Sequence, residues 1–321
     1  MMSDSFAIRF VRHAGKEGPL SKEAMQTELR DGERPGVAIQ FDNEPSFDDK
    51  KYDSQQYQIR YLNEAAAEPT LFVASFTHYP KREKYIGRSN GTREILVFDM
   101  NEDEIVDRAE VSSSKGEVAT FKDQYPDERY KFVKFVGVNG WKQVAQESHR
   151  PLWHWHSVQT IHGPSSNADV KRKYIRASFF DEPTPRQFEV LSSDDHELMA
   201  EHWLRSKLSE FSLDAPRGGT MEAIDILGSA QKEGELVPIY ASVTNSTGGY
   251  ESSRVEAINS YPQHADRYFI GGGSKPDGLS SEVTFVSLRE VFELMDGDGG
   301  RLRHTLDVML GETTDTVHRE R

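Results

Sequence analysis

Residues 186–310 alternate short apolar runs with longer runs in which apolar residues recur every three or four positions. Short apolar runs bounded by turn residues are typical of β-strands, and the longer spacing is typical of the buried face of an α-helix. In chain order the runs predict β-α-β-β-α-β, then a further strand and two helices. This order indicates an α/β domain in which helices flank a mixed sheet.

The predicted elements of this stretch have the following bounds. The strands cover 187–191, 221–227, 236–244, 266–270 and 283–286, and the helices cover 197–211, 252–261, 288–295 and 302–310.

The chain before this stretch has a mostly β pattern, in which short apolar or alternating runs are separated by Asn, Asp, Gly and Pro. A helical spacing over 52–67 predicts a helix that packs across the sheet. The combination favours a β-barrel-like, strongly curved sheet with one or two helices, so the whole chain is α+β. The predicted strands are 37–41, 71–76, 95–99, 118–121, 131–136 and 157–161.

A boundary between two domains is predicted near residues 165–185, where Gly and Pro cluster and the charge balance changes. Residues 1–180 contain 26 Lys and Arg against 27 Asp and Glu, whereas 181–321 contain 13 against 26. We expect a first domain over 1–165, a linker over 166–185 and a second domain over 186–321. The acidic second domain repels phosphate backbones, so it would meet nucleic acid only through a local site. The same acidic surface is a candidate contact for a protein partner or a second copy of the chain.

Composition narrows the class of protein. The chain has no cysteine, which excludes disulfides, thiolate metal sites and a cysteine nucleophile, so any metal must be held by oxygen or imidazole ligands. Neither an N-terminal apolar signal region nor a run of about 18 apolar residues occurs in the sequence. We therefore expect a soluble cytoplasmic protein without membrane contact.

Asp225 is the strongest candidate for chemistry in the second domain, because it interrupts the apolar run Ile224-Asp225-Ile226-Leu227 and a buried carboxylate needs a partner or a metal. Glu201 lies in the middle of the preceding helix.

These segments resemble the PD-(D/E)xK nuclease superfamily, as in Mrr-type restriction endonucleases. The resemblance rests on Glu201 in its helix, on Asp225 in Ala223-Ile224-Asp225-Ile226-Leu227-Gly228, and on the strand Ile239-Tyr240-Ala241-Ser242-Val243-Thr244. It implies Mg²⁺-assisted hydrolysis of a phosphodiester, with Glu201 and Asp225 as metal ligands. Ser242 and Thr244 occupy the positions of the family's carboxylate and lysine, which leaves open a nuclease fold without activity. Glu222 is a further candidate ligand, and Lys275 is a candidate for the missing cation.

The first domain interleaves aromatic and basic residues, for example in Phe76-Thr77-His78-Tyr79-Pro80-Lys81-Arg82-Glu83-Lys84-Tyr85. Aromatic rings stack on bases while ammonium and guanidinium groups meet phosphates, so this mixture suits a nucleotide or a flipped base. A β-sheet whose aromatic residues form the core and whose charges face solvent explains the pattern equally well.

Three segments of the first domain resemble PUA-like domains, particularly the EVE branch. They are Gly36-Val37-Ala38-Ile39-Gln40-Phe41-Asp42, Phe72-Val73-Ala74-Ser75-Phe76 with Tyr85-Ile86-Gly87, and Val138-Asn139-Gly140-Trp141 with Gln159-Thr160-Ile161-His162. The resemblance implies a base-binding pocket lined by Phe41, Ser75, Phe76, Tyr85, Trp141 and Trp155.

The two resemblances together imply a restriction or defence protein that reads a modified base and cleaves DNA, with DNA favoured over RNA as ligand and Mg²⁺ as cofactor. The alternative is a catalytically inactive binding or assembly protein on the nuclease fold, which senses a modified base or nucleotide.

Overall fold

A computed structural model of the chain describes residues 6–13, 17–76, 83–146, 148–155, 161–164, 168–215, 223–246 and 249–312. The chain divides into two compact units, Met1–Arg186 and Gln187–Arg321. Each unit is mixed α and β and has its own mixed sheet. No helix in the described ranges is long and apolar enough to cross a membrane.

The first unit is built around one sheet with helices packed on it. Its elements are β1 (Ala7–His13), α1 (Glu23–Asp31), β2 (Gly36–Ile39), α2 (Gln56–Ala67), β3 (Thr70–Phe76), β4 (Lys84–Asp99), β5 (Glu104–Glu110), α3 (Thr120–Gln124), β6 (Tyr130–Val144), α4 (Pro151–His154), β7 (Ile161–His162) and α5 (Ala168–Phe180).

The strands of the first unit pair in the order β2-β6-β4-β3-β1-β7, and β5 pairs with the second half of β4. Among the pairings of the described residues, β1 and β3 run parallel to one another and the other pairs are antiparallel. No pairing between the described residues joins β2 to β7, so the expected barrel is corrected to an open mixed sheet. The long strand β4 pairs with β6 along one edge and divides its other edge between β3 and β5, so the sheet branches there.

Helix α2 shows how the sequence positions the core of this unit. Its buried residues, Gln58, Ile59, Leu62 and Ala65, recur at helical spacing and pack on the sheet. The helix predicted over 52–67 is therefore confirmed from residue 56 onward, and residues 52–55 are not helical. The strand predicted at 118–121 is wrong: this segment enters the short helix α3, and Phe121 is its buried residue. Four apolar or alternating residues do not by themselves distinguish a strand from one helical turn.

The segment expected as a linker over 166–185 contains helix α5, which packs on β3 and β4 of the first unit. Its buried residues are Tyr174, Ile175, Ala177 and Ser178. The Pro and Gly residues around it mark the ends of a helix rather than an extended connection.

The second unit has a five-stranded sheet in the order β12-β11-β10-β9-β8, with β8, β9 and β10 antiparallel and β10, β11 and β12 parallel. Its elements are α6 (Ser193–Lys207), β8 (Ser212–Leu213), β9 (Ile226–Lys232), β10 (Glu235–Thr244), α7 (Ser252–Ser260), β11 (Asp266–Gly271), β12 (Val283–Ser287), α8 (Leu288–Gly297) and α9 (Arg301–Leu310).

Helix α6 begins earlier than its apolar spacing predicts, because Ser192 and Asp195 form a capping box. The Ser192 hydroxyl accepts from the Asp195 backbone N–H at 3.1 Å, and the Asp195 carboxylate accepts from the Ser192 N–H at 3.0 Å. The strand predicted at 187–191 is wrong, since Phe188–Val190 form a 3-10 turn that leads into this cap.

Gly87 on β4 provides a stability test of the first sheet. A β-carbon at this position would collide with Val138 and with the indole of Trp141. Gly87→Ala should therefore lower the free energy of unfolding by about 1–3 kcal/mol, measured by urea unfolding with tryptophan fluorescence. In Gly297→Ala the new methyl group meets no atom within 4 Å, so this control should keep its stability. Equal unfolding midpoints for the two variants would contradict the close contact.

Candidate active site

Asp225 lies immediately before β9, where the chain joins the edge of β10. Its backbone N–H donates to the carbonyl of Ala241 at 3.0 Å, which fixes the residue against the neighbouring strand. Its Oδ2 accepts a hydrogen bond of 2.6 Å from the backbone N–H of Val243. The carboxylate is therefore held by β10, the strand that the apolar pattern predicts next in the chain.

The cation beside Asp225 is Arg254, which occupies the first turn of α7. Its Nη1 lies 2.8 Å from Asp225 Oδ2 and also donates to Ser242 Oγ at 3.0 Å and to the carbonyl of Val243 at 3.2 Å. These contacts join β9, β10 and α7 at one point. The side chain of Arg254 is 28% exposed and that of Asp225 16% exposed, so the pair is accessible from solvent.

Ser242 and Thr244, at the expected carboxylate and lysine positions of β10, have different surroundings. Ser242 is fully buried and its hydroxyl is part of the Asp225–Arg254 cluster. Thr244 lies at the end of β10, and its hydroxyl accepts from the backbone N–H of Ser246 at 3.4 Å. The strand thus brings Ser242 to Asp225, and the positive charge comes from the next helix.

Glu201, the other expected metal ligand, is buried on α6 and forms an ion pair of 2.8 Å with Arg205 one turn later. The two expected ligands are therefore each paired with a different arginine. In the described ranges no group of three His, Asp or Glu side chains is arranged to hold a metal ion. Glu222 lies outside the described residues.

Two glycines allow the ends of β10 and β11 to approach the loop before α7. A β-carbon on Gly271 would collide with the phenol of Tyr250, and one on Gly272 would collide with the backbone of Asn245. The Gly273 N–H donates to the Tyr250 hydroxyl at 2.8 Å. A cavity of about 380 Å³ lies beside this contact, and the exposed Lys275 lines it. The cation that contacts Asp225 is Arg254.

In the first unit, three of the six expected base-binding residues form one aromatic group. The ring of Phe76 lies 5.5 Å from that of Tyr85 and 5.9 Å from that of Trp141, in both cases edge to face. The imidazole of His13 stacks on the other side of Phe76 at 4.8 Å. This aromatic group belongs largely to the core, since Phe76 is 3% exposed.

Tyr85 and Trp141 also line a cavity of about 370 Å³ together with Arg30, Asp31, Pro35, Glu83, Gly140 and Gln143. This volume lies within the usual range of small-molecule sites, about 300–1,000 Å³. The Tyr85 hydroxyl donates to Glu83 at 2.6 Å and accepts from Arg30 at 3.0 Å. Burial and the hydrogen bond to Glu83 raise the pKa of Tyr85 to about 12. The cavity therefore combines aromatic surface with charged hydrogen-bonding groups of both signs.

The other expected pocket residues have different neighbours. Phe41 packs edge to face on Tyr52 at 5.3 Å, next to the buried ammonium group of Lys134. Trp155 is buried between Phe10 and Tyr174. Ser75 precedes Phe76 on β3, so its side chain lies on the opposite face of the sheet.

Sequence reasoning missed Arg254 and Arg30, which complete the two clusters. Arg254 could have been found from the position of its helix, because the first turn of a helix that follows a parallel strand lies over the carboxyl end of that strand. Arg30 had no such signal, since it reaches Tyr85 from 55 positions away in the chain.

Comparisons with known proteins give one solved structure. No protein-family model and no curated protein matches the chain. The MspJI restriction endonuclease in complex with a 27-mer oligonucleotide is similar at 11% identity with a TM-score of 0.26, over 95% of this chain and 80% of that chain. A TM-score of this size assigns no fold, so the case for function rests on the residues described above.

His13 gives a pH test of the aromatic group. Complete burial lowers the pKa of His13 to about 3, from 6.5 in an unfolded chain. Below pH 6.5 the unfolded chain binds a proton that the folded protein does not, so stability is lost as pH falls toward 3. At pH 5 this loss is about 2 kcal/mol relative to pH 8. His13→Gln should reduce the loss, as measured by urea unfolding between pH 8 and 5.

The control for this test is His304→Gln, which changes an exposed histidine on α9. It should keep the wild-type dependence of stability on pH. An identical pH dependence in His13→Gln and wild type would show that His13 is protonated equally in the folded and unfolded states.

Proposed function

We propose that this protein is a DNA-binding nuclease of the restriction type, whose second unit hydrolyses phosphodiesters at Asp225 and Arg254 and whose first unit reads a base. The observation that carries the proposal is the contact of Arg254 with both Asp225 and Ser242. It supplies the cation that Ser242-Val243-Thr244 lacks. The order of α6, β9, β10, α7 and β11 also supports a nuclease function for the second unit.

Arg254 can bind a phosphate because only one nitrogen of its guanidinium group donates to the described residues. The hydrogen bonds to Asp225, Ser242 and Val243 all come from Nη1. Within the described ranges no residue accepts from its Nε or Nη2. These N–H groups can donate to the oxygens of a phosphodiester in the forked geometry that arginine favours, and they would stabilise the charge that develops during hydrolysis.

Asp225 is the residue that would hold Mg²⁺. Its Oδ2 is engaged by Val243 and Arg254, whereas its Oδ1 accepts no hydrogen bond from the described residues. Mg²⁺ is commonly bound by one or two carboxylates together with water and the substrate's phosphate, so one accessible carboxylate oxygen fits this ion. When bound, Mg²⁺ supplies Lewis-acid activation of the phosphate and of a water molecule. The Val243 N–H and Arg254 fix the orientation of the carboxylate.

The first unit would read the base at the cavity beside Tyr85 and Trp141. An indole and a phenol offer stacking surface, and Arg30, Glu83 and Gln143 offer donors and acceptors for the edge of a base. The expected ligand is a modified base in DNA, for which modified cytosine serves as the probe below.

The nuclease centre is tested by incubating unmodified and cytosine-modified duplex DNA with Mg²⁺ or Mn²⁺. Asp225→Asn and Arg254→Gln should each lower the cleavage rate about a hundredfold or more, because each removes a charge that acts on the phosphate. Glu256→Gln is the matched control: it neutralises an exposed residue of the same helix and should cleave as the wild type does.

Equal cleavage by Asp225→Asn and wild type would remove Asp225 from the reaction. DNA binding without cleavage by the wild-type protein would replace the nuclease with the inactive recognition protein.

The base site is tested with Tyr85→Phe, which removes the hydroxyl that contacts Glu83 and Arg30 but keeps the ring. Affinity for a duplex with one modified cytosine should fall about tenfold, measured by fluorescence anisotropy. The matched control is Tyr57→Phe on α2, outside the cavity, which should keep the wild-type affinity. Equal affinities of the two variants would exclude the cavity as the base site.

A further inference from the structure

One row of side chains crosses the first sheet at the end of its parallel strands. Arg12 on β1 is paired with Ser75 on β3. The antiparallel register of β3 and β4 reaches Ala74 opposite Tyr85, so the next position along places Lys84 opposite Ser75. Residues paired across strands share a face of the sheet. Arg12, Ser75 and Lys84 therefore stand side by side, with the serine in the middle.

The spacing of this row suits a small anion. Neighbouring strands lie about 4.8 Å apart, so the Cα atoms of Arg12 and Lys84 are about 10 Å apart. Both side chains are long enough to converge above the Ser75 hydroxyl between them. Arg12 is exposed, and Ser75 and Lys84 are half-buried, so the row is open to solvent.

The acidic residues nearest to this row are committed elsewhere. Glu83, next to Lys84 in the chain, accepts from the Tyr85 hydroxyl, and consecutive strand residues face opposite sides of the sheet. Asp181, which follows α5 on the same face as the row, forms an ion pair of 2.6 Å with Lys142. Among the described residues, no carboxylate lies within ion-pair distance of Arg12 or Lys84.

The residues that directly follow β1 and β3 add no counter-ion. Residues 14–16 and 77–82 contain neither Asp nor Glu. The two cations of the row are thus held near each other without a neutralising partner from the described residues or from these two segments.

This arrangement has an electrostatic cost. Burial, followed by the charge of Arg12, lowers the pKa of Lys84 to about 8. Two like charges at a partly desolvated position repel one another, and an anion bound between them offsets both the repulsion and the loss of hydration.

We propose that Arg12, Ser75 and Lys84 form a binding site for a phosphate group. Arg12 donates two N–H groups, the Ser75 hydroxyl donates one hydrogen bond, and the Lys84 ammonium group supplies a second positive charge. Both a phosphate of the nucleic-acid backbone and a free phosphate or nucleotide carry this chemistry. The site lies in the first unit and does not depend on the nuclease centre at Asp225.

The first arm of the test uses inorganic phosphate. Phosphate binding to the full chain is measured by isothermal titration calorimetry at pH 7 and constant ionic strength. Lys84→Met and Arg12→Gln should each weaken binding about tenfold, since each removes a charged partner. The matched control is Lys115→Met, which removes an exposed lysine of the same unit and should bind phosphate as the wild type does.

Ser75→Ala removes only a hydroxyl and should weaken phosphate binding several-fold without changing the circular dichroism spectrum. This variant keeps the test decisive if Lys84→Met does not fold. Phosphate affinities of all three site variants equal to that of Lys115→Met, or no phosphate binding by the wild type, would overturn the proposal.

The second arm distinguishes the sources of the phosphate. Binding of a fluorescent oligonucleotide is measured as a function of salt concentration. If the site takes a backbone phosphate, Lys84→Met and Arg12→Gln should each lower the slope of log affinity against log salt by about one. An unchanged slope together with weakened inorganic phosphate binding would identify a free phosphate or nucleotide as the ligand.

Discussion

The arrangement of β9, β10 and α7 in the second unit depends on the ion pair between Asp225 and Arg254. A carboxylate at the start of β9 is partly withdrawn from water, so it must be neutralised or hydrogen-bonded, and the residues that do this come from β10 and α7. One guanidinium nitrogen thereby holds a hairpin strand, its neighbour and the following helix in a single arrangement. The glycines at the end of β11 let the loop before α7 pack closely enough for this contact.

The need to compensate a charge that is removed from water also explains the surroundings of two other buried charges. Glu201 is buried beside Arg205. Lys134 is fully buried, and although burial lowers its pKa to about 7, its ammonium group donates to the carbonyls of Phe41, Glu44 and Phe132. Each of these groups has a partner that offsets the loss of hydration. Against this pattern, the absence of an acidic partner for Arg12 and Lys84 within the described residues is an exception, and it led us to propose a ligand there.

In the first unit the aromatic residues serve both the core and a surface cavity. Phe76 is buried between Tyr85, Trp141 and His13, while Tyr85 and Trp141 extend from it to the cavity wall. A rigid core behind a cavity wall keeps the wall in place, which a stacking site requires. Gly87 makes the arrangement sterically possible, because any side chain there would displace Trp141.

The sequence by itself determined the elements with strong local signals. The apolar spacing of α2 and the alternating runs of β3, β10 and β11 predicted those elements, and the position of Asp225 within an apolar run marked it as a residue that needs a partner. It did not distinguish an open sheet from a barrel, because closure depends on which strand edges meet, and it missed α5 within the expected linker.

Only the tertiary structure decided which side chains contact the candidate site residues. Arg254 is 29 positions from Asp225 and Arg30 is 55 positions from Tyr85, so no local pattern joins them. Likewise, Arg12, Ser75 and Lys84 form a row only because β1, β3 and β4 are neighbours in the sheet. Local propensities specify helices and strands, whereas charge pairing and strand order depend on contacts between distant parts of the chain.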